Sequence, residues 1–254
     1  MNNMRPPGAN PRVLIVGATS AIAGEVARRY AARGARLLLL GRRAQALEAQ
    51  AADLQVRGAT EVAFELFEAN DVAQHPELLA RAWARWQGLD VALIAHGVLP
   101  DQAAAQLSAT QALSSFDTNA RSLISVLTEL ANHFEAQRHG VIGVISSPAA
   151  ERGRASNYVY GAAKAAVSTF CSGLRHRLYR KGVRVVTILP GFVDTPMTAG
   201  FAKGPLWARP ERVAADIERA LECSNGDLYT PWFWRWIMFI VKRVPQGLFL
   251  RSKL

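Results

Sequence analysis

The stretch "ISSPAAERGRASNYVYGAAK" carries three side chains whose types and spacing could move a proton. Tyr160 and Lys164 stand four residues apart, which on a helix puts both on one face. A free tyrosine has a pKa of about 10 and exchanges protons poorly at neutral pH. An ammonium held beside it stabilises the phenolate and is expected to lower that pKa. Ser147 lies thirteen residues before the tyrosine, at the end of an apolar run. Its hydroxyl there can hold a carbonyl or alcohol oxygen. A Tyr-x-x-x-Lys pair arises often by chance; the serine at a strand end gives the pair a partner and a chemistry, proton exchange with a C=O or C–OH group.

The elements that must position these groups are legible as short apolar runs, each followed by a helical pattern. "RVLIV", "ARLLLL", "EVAFELF", "DVALIA", "VIGVIS", "VRVVTIL" and "DLYT" alternate with longer helix-forming segments. The runs are too short for helices and suit parallel strands buried on both faces. Helices are expected to close near Gly34, Gly58, Gly88, Gly140 and Gly182. The alternation predicts an α/β fold: a Rossmann-type doubly wound sheet of about seven parallel strands with helices on both faces. In such a sheet a ligand sits beyond the carboxyl ends of the strands, so the loops after the runs are where chemistry belongs.

The first of those loops is "GATSAIAG". Gly17 stands where the strand must turn, followed by Thr19, Ser20, Ala21 and Ile22. Hydroxyl and N–H groups at a helix N-terminus suit a phosphate. Ala21 and Ala23, however, stand where a Gly-x-x-x-Gly-x-Gly pattern would have glycines, and a plain turn capped by Ser20 accounts for the stretch about as well. The second loop brings Arg42 and Arg43. An acid there would take ribose hydroxyls; an arginine suits a 2′-phosphate, which points to NADP(H). Two exposed arginines opening a helix are the alternative, disfavoured by the helix dipole. Asp71, in the third loop, is placed to accept from an adenine amino group or to cap a helix.

With these residues the chain resembles the short-chain dehydrogenase/reductase family over residues 12 to about 230. The resemblance rests on "YGAAK", Ser147, Asn119 in "FDTNA", "ANDV" with Asp71 and Val72, and "PGFVDTP". It implies a ketoreductase in which Ser147 orients the substrate oxygen, Tyr160 exchanges the proton and Lys164 tunes it. It also implies that Asn119 braces a water relay to the lysine. Pro190, Gly191, Val193 and Thr195 would line the nicotinamide, although Gly191 and Thr195 also suit a turn and a helix cap. Of the usual Asn-Asn-Ala-Gly after the fourth strand only Gly97 remains, in "IAHG"; His96 beside it is a candidate to face the substrate or to serve as a structural donor. The resemblance further implies a dimer or tetramer through the helices carrying Asn119 and Tyr160. Within the family, "AHGVLPDQ", the Ser–Tyr–Lys stretch and the tail "WFWRWIMFIVKRVPQGLFLRSKL" look like the reductase component of the decaprenylphosphoryl-ribose 2-epimerase system. That resemblance implies a 2-keto sugar carried on a polyprenyl phosphate.

The chain has 254 residues, half of them hydrophobic, enough for one large core. We expect a loose leader over 1–11, a reductase domain over 12–230 and an amphipathic tail over 231–254. The leader has no signal-peptide core, and Cys171 and Cys223 read as reduced thiols with no metal-type spacing. Both features suit a cytoplasmic protein without a metal. The net charge of +10 is scattered and comes with no nucleic-acid motif. The tail joins Trp232, Trp234 and Trp236 to Arg235, Lys242, Arg243 and Arg251. It suits either the inner surface of a membrane, with Phe201 and Trp207 at a lipid entrance, or a helix packed on its own domain.

Overall fold

The computed structural model describes residues 10–252; most of the expected leader, residues 1–9, lies outside them. Seven strands form one parallel sheet: β1 (Arg12–Val16), β2 (Arg36–Gly41), β3 (Glu61–Leu66), β4 (Val91–Ile94), β5 (Val141–Ile145), β6 (Arg184–Pro190) and β7 (Asp227–Thr230). Their order is 3-2-1-4-5-6-7. The chain winds outward from β1 to β3, then returns to lay β4 on the other side of β1. Val13 accordingly pairs with Leu37 of β2 and with Val91 of β4. That reversal opens a crevice at the carboxyl ends of β1 and β4.

Helices α1 (Ala21–Ala31), α2 (Ala44–Val56) and α3 (His75–Ala84) follow the first three strands. After β4 come α4 (Gln102–Ala105), α5 (Ala109–Phe116), a π-turn (Asp117–Arg121) and α6 (Ser122–Gln137). Then follow α7 (Tyr158–Tyr179) and α8 (Pro210–Cys223), and after β7 the tail helices α9 (Trp234–Arg243) and α10 (Gln246–Phe249). The apolar side chains divide between two layers. Ile15 and Leu37 meet Val26 of α1, Leu54 of α2 and Ile217 of α8 on one face. Leu14 and Leu38 meet Leu79 of α3, Leu127 of α6 and Val167 of α7 on the other. The glycines expected to close helices, from Gly34 to Gly182, all have positive φ.

One expectation fails in an instructive way. β3 is not buried on both faces: Phe64 and Leu66 are exposed, because an edge strand has a neighbour on one side only. The tail, which suits either a membrane surface or a helix packed on its own domain, does pack on the domain along one side. Trp234 and Met238 are buried, Lys242 pairs with Glu151, and Glu151 also accepts the Tyr229 hydroxyl at 2.7 Å. Arg152 donates to the Val244 carbonyl at 2.8 Å and lies 3.7 Å over the Phe249 ring. Among the described residues no helix is long and apolar enough to cross a membrane.

Candidate active site

A cleft of about 1030 Å³ runs along the carboxyl ends of the strands, at the large end of the ~300–1,000 Å³ typical of ligand clefts. Gly17, Thr19, Ser20, Ala21, Ile22 and Arg42 line one end. At Gly17 φ is +82°, and a Cβ would lie 2.5 Å from the His96 backbone nitrogen; no other residue fits there without moving the β4 loop. Ala21 and Ala23, by contrast, are ordinary helical residues of α1, so neither position needs glycine. Ser20 occupies the N-cap, yet its hydroxyl makes no cap hydrogen bond, which counts against the plain capped turn. Gln50 of α2 donates to the Ala18 carbonyl at 3.0 Å and braces the turn from behind. The first-turn N–H groups of α1 have no carbonyl ahead of them and stand beside the cleft, as an anion would require.

The middle of the cleft holds Ser147, Tyr160 and Lys164. Ser147 follows β5, while Tyr160 and Lys164 share a face of α7. The lysine, 3% exposed, donates to the Ile145 carbonyl at 2.9 Å and its Nζ lies 5.7 Å from the Tyr160 ring centre. Ser146, which sequence reasoning passed over, ties strand to helix: its hydroxyl contacts Ser168 at 2.7 Å and the Lys164 carbonyl at 3.2 Å. Asn119 stands behind this wall in the π-turn, fully buried. Its Oδ1 accepts from the Val98 N–H and its Nδ2 donates to the Val98 carbonyl, both at 2.9 Å. A Cβ on Gly97 would lie 2.7 Å from that Oδ1, so the surviving glycine of "IAHG" is the one this clamp demands.

The family model for short chain dehydrogenases matches residues 11–205. This chain belongs to the short-chain dehydrogenase/reductase family. It is 40% identical over 248 residues to an uncharacterized oxidoreductase of Mycobacterium tuberculosis, covering 98% of this chain and 99% of that one. It is 36% identical to an uncharacterized oxidoreductase of Streptomyces coelicolor, covering 94% of each. The fold is shared with a dehydrogenase from Burkholderia cenocepacia with bound NADP, at a TM-score of 0.79 and 21% identity, covering 89% of this chain and 93% of that one.

Electrostatics corrects one expectation about the family's tyrosine. Tyr160 is half-buried but closely surrounded. Desolvation pushes its pKa up to about 12, partly offset by a hydrogen bond from Ser147; the neighbouring ammonium does not bring it down. Burial likewise pulls Lys164 down to about 8. Burial, then Lys164 and His75, lower His96 to about 3. A neutral His96 shares a hydrogen bond with Ser122 at 2.9 Å and packs edge-on against Phe67.

Other expected residues fall differently. Pro190, Gly191, Val193 and Thr195 line the cleft, and Thr195 also closes a short turn with Thr198. Gly191 answers neither to a turn nor to strain: a Cβ there would sit 1.8 Å from Nε1 of Trp234, so the tail's indole requires the glycine. Arg43 is the exposed N-cap of α2 and, with Asp71 and Val72, does not line the cleft. Asp71 is taken up in a turn, accepting from the Gln74 side chain at 2.5 Å. Glu68, Ala69 and Asn70, just after β3, line the cleft. Among the described residues no cluster of His, Cys, Asp and Glu could hold a metal.

Proposed function

We propose that this chain is an NADP(H)-dependent ketoreductase. The observation that carries the reading is the placement of Ser147, Tyr160 and Lys164 on one wall of the cleft whose end holds the Gly17 turn and Arg42. The bound dinucleotide supplies hydride to a carbonyl carbon. Tyr160, protonated up to about pH 12, donates its proton to the carbonyl oxygen. The Ser147 hydroxyl orients that oxygen. Lys164, held by the Ile145 carbonyl, supplies the charge that steadies the phenolate left behind. Asn119 positions the Gly97–Val98 backbone against the lysine. Arg42, exposed at the cleft edge, would pair with the 2′-phosphate; the NADP-bound relative from Burkholderia cenocepacia has the same fold. Fluorescence titration with NADPH and NADH, followed by NADPH oxidation over a ketone panel, tests the reading. Equal affinity for the two dinucleotides removes the Arg42 assignment, and binding without turnover leaves a non-catalytic dinucleotide sensor.

We infer further that the carbonyl is carried on a lipid, as a polyprenyl-phosphate-linked 2-keto sugar would be. α9 supports this. Its inner side sets Trp234 and Met238 into the cleft wall, while Trp236, Phe239 and Ile240 are exposed on its outer side. Phe201, also exposed, joins the cleft rim. Tryptophan beside arginine suits the headgroup region of an anionic cytoplasmic leaflet. Turnover of a polyprenyl-phosphoryl 2-ketopentose, set beside small soluble ketones with and without anionic liposomes, decides between this substrate and a soluble carbonyl. A homo-oligomer through the helical stretch that carries Asn119 and through α7, which carries Tyr160, is supported by the exposed Leu113, Phe116 and Tyr158 on them, and is tested by sedimentation.

A further inference from the structure

The loop between Ser147 and α7 carries three charges, Glu151, Arg152 and Arg154. Two are engaged: the Glu151 Oε1 by Lys242 of the tail and Tyr229 of β7, Arg152 by the carbonyls of Val241 and Val244 in the tail. Arg154 is different. Its guanidinium has no hydrogen bond or ion pair among the described residues, yet it is half-buried and lines the cleft between Ser147 and Tyr160. The acids that share the cleft wall do not answer it. Asp101 caps α4, accepting from the Ala103 N–H at 2.9 Å, and Glu68 lies beyond β3 with the Asn70 N–H at 3.4 Å. Desolvation alone lowers the Arg154 pKa, with no anion to raise it. The guanidinium keeps some contact with solvent, but a cation partly desolvated in a cleft with no protein partner is normally met by an anion.

The cleft wall holds further unmatched atoms, two of them close to the start of α7. Gln102 spends its Oε1 on the Val159 N–H at 3.1 Å, which fixes the amide and leaves Nε2 buried and unpartnered. Asn157 Oδ1 is buried and unpartnered too. A buried donor and acceptor left unpaired cost stability. All three residues line the cleft, and Gln102 is bonded to the first turn of α7, the helix that carries Tyr160.

We propose that Arg154 is a substrate-specificity residue that binds an oxyanion, phosphate or carboxylate, borne by the carbonyl substrate. The inference rests on the ketoreductase reading and narrows its substrate to anionic carbonyl compounds. A guanidinium offers paired N–H donors matched to such oxyanions. The anion would satisfy Arg154 while the C=O lies against Ser147 and Tyr160.

The test uses matched pairs of ketones: dihydroxyacetone phosphate with dihydroxyacetone, and acetoacetate with methyl acetoacetate. A polyprenyl-phosphoryl 2-ketopentose forms a third arm, so that free phosphate, carboxylate and lipid phosphate are told apart. NADPH oxidation is measured for the native chain, Arg154→Met and Arg154→Lys. Calorimetry follows dihydroxyacetone phosphate binding to the NADP⁺ complex of each. In the native chain kcat/KM should favour the charged member of at least one pair by about 10- to 100-fold. Arg154→Met should bring that ratio close to one, Arg154→Lys should keep part of it, and NADPH affinity should not change. No preference in the native chain, or a preference that survives Arg154→Met, overturns the proposal. A loss of NADPH affinity in Arg154→Met also overturns it, because the arginine would then belong to the cofactor. If no ketone is turned over, the ketoreductase reading fails. The calorimetric comparison of native chain and Arg154→Met then decides the anion site by itself: equal heats, or no binding by either, reject it.

Discussion

The two ends of the cleft are built on opposite principles. At the β1 end, backbone makes the site. Gly17 turns left-handed with no room for a Cβ, α1 begins at once, and Arg42 is the cation on the rim. At the far end, side chains from distant segments make the site. The loop after β5 brings Ser147 and Arg154, α7 brings Tyr160, and the tail brings Trp234 and Met238. A backbone-built end tolerates few changes and accepts one class of ligand. A side-chain-built end can be re-lined without disturbing the sheet, and there a family varies its substrate.

Substitutions at the two ends should therefore fail in different ways. The largest effect is expected at Tyr160: Tyr160→Phe should lower turnover by about 10²- to 10⁴-fold with NADPH affinity retained, as stopped-flow and equilibrium titration would report. Trp234→Ala leaves a large hole over Gly191 and should cost about 3–5 kcal/mol of stability, read in urea unfolding. Trp236→Ala, two residues along on the exposed side of α9, should stay within about 0.5 kcal/mol while weakening binding to anionic liposomes. Similar losses from both would mean that α9 has no free side.

Gly17→Val attacks the backbone-built end. The left-handed φ and the contact with His96 should cost about 1–3 kcal/mol and abolish NADPH binding in the fraction that folds; retained affinity would show that the turn is more pliable than its geometry implies. Arg42→Asp should lower NADPH affinity by about tenfold and spare NADH. The smallest effect is in pH. Burial lowers the Lys164 pKa to about 8, so its ammonium is present below that pH and lost above it. Carbonyl reduction at saturating NADPH should decline as pH rises through about 8. Tyr160, at about 12, contributes no limb in that range, and a flat profile to pH 10 would place the titrating charge elsewhere.

Much of the site was legible because its signals are local. Tyr160 and Lys164 follow from helical spacing, and Ser147 from its place at a strand end. The alternation of runs also makes parallel pairing legible, whereas the order that brings β4 back beside β1 is decided by the tertiary structure. The adenine side was less legible. Asp71 matched a motif, but only the end of β3 decides which residues of "FEAND" meet the cleft, and that falls on Glu68 to Asn70. Arg154 carried no signal at all. An arginine in a polar loop looks solvated until the fold shows that its charged neighbours are engaged elsewhere and it is not.

The sequence by itself determined the sheet, the helix-terminal glycines and the tyrosine–lysine pair, because periodicity and spacing act over a few residues and need no distant partner. Only the tertiary structure decided what Gly191, Asn119 and the tail are for. Gly191 makes room for an indole from residue 234, Asn119 clamps a loop 21 residues away, and the tail became a cleft wall through Glu151 and Arg152. The protonation of Tyr160 and Lys164 was settled there too. Spacing says that an ammonium lies near a phenol, but how far each is desolvated depends on everything packed around them, and here desolvation outweighs the charge.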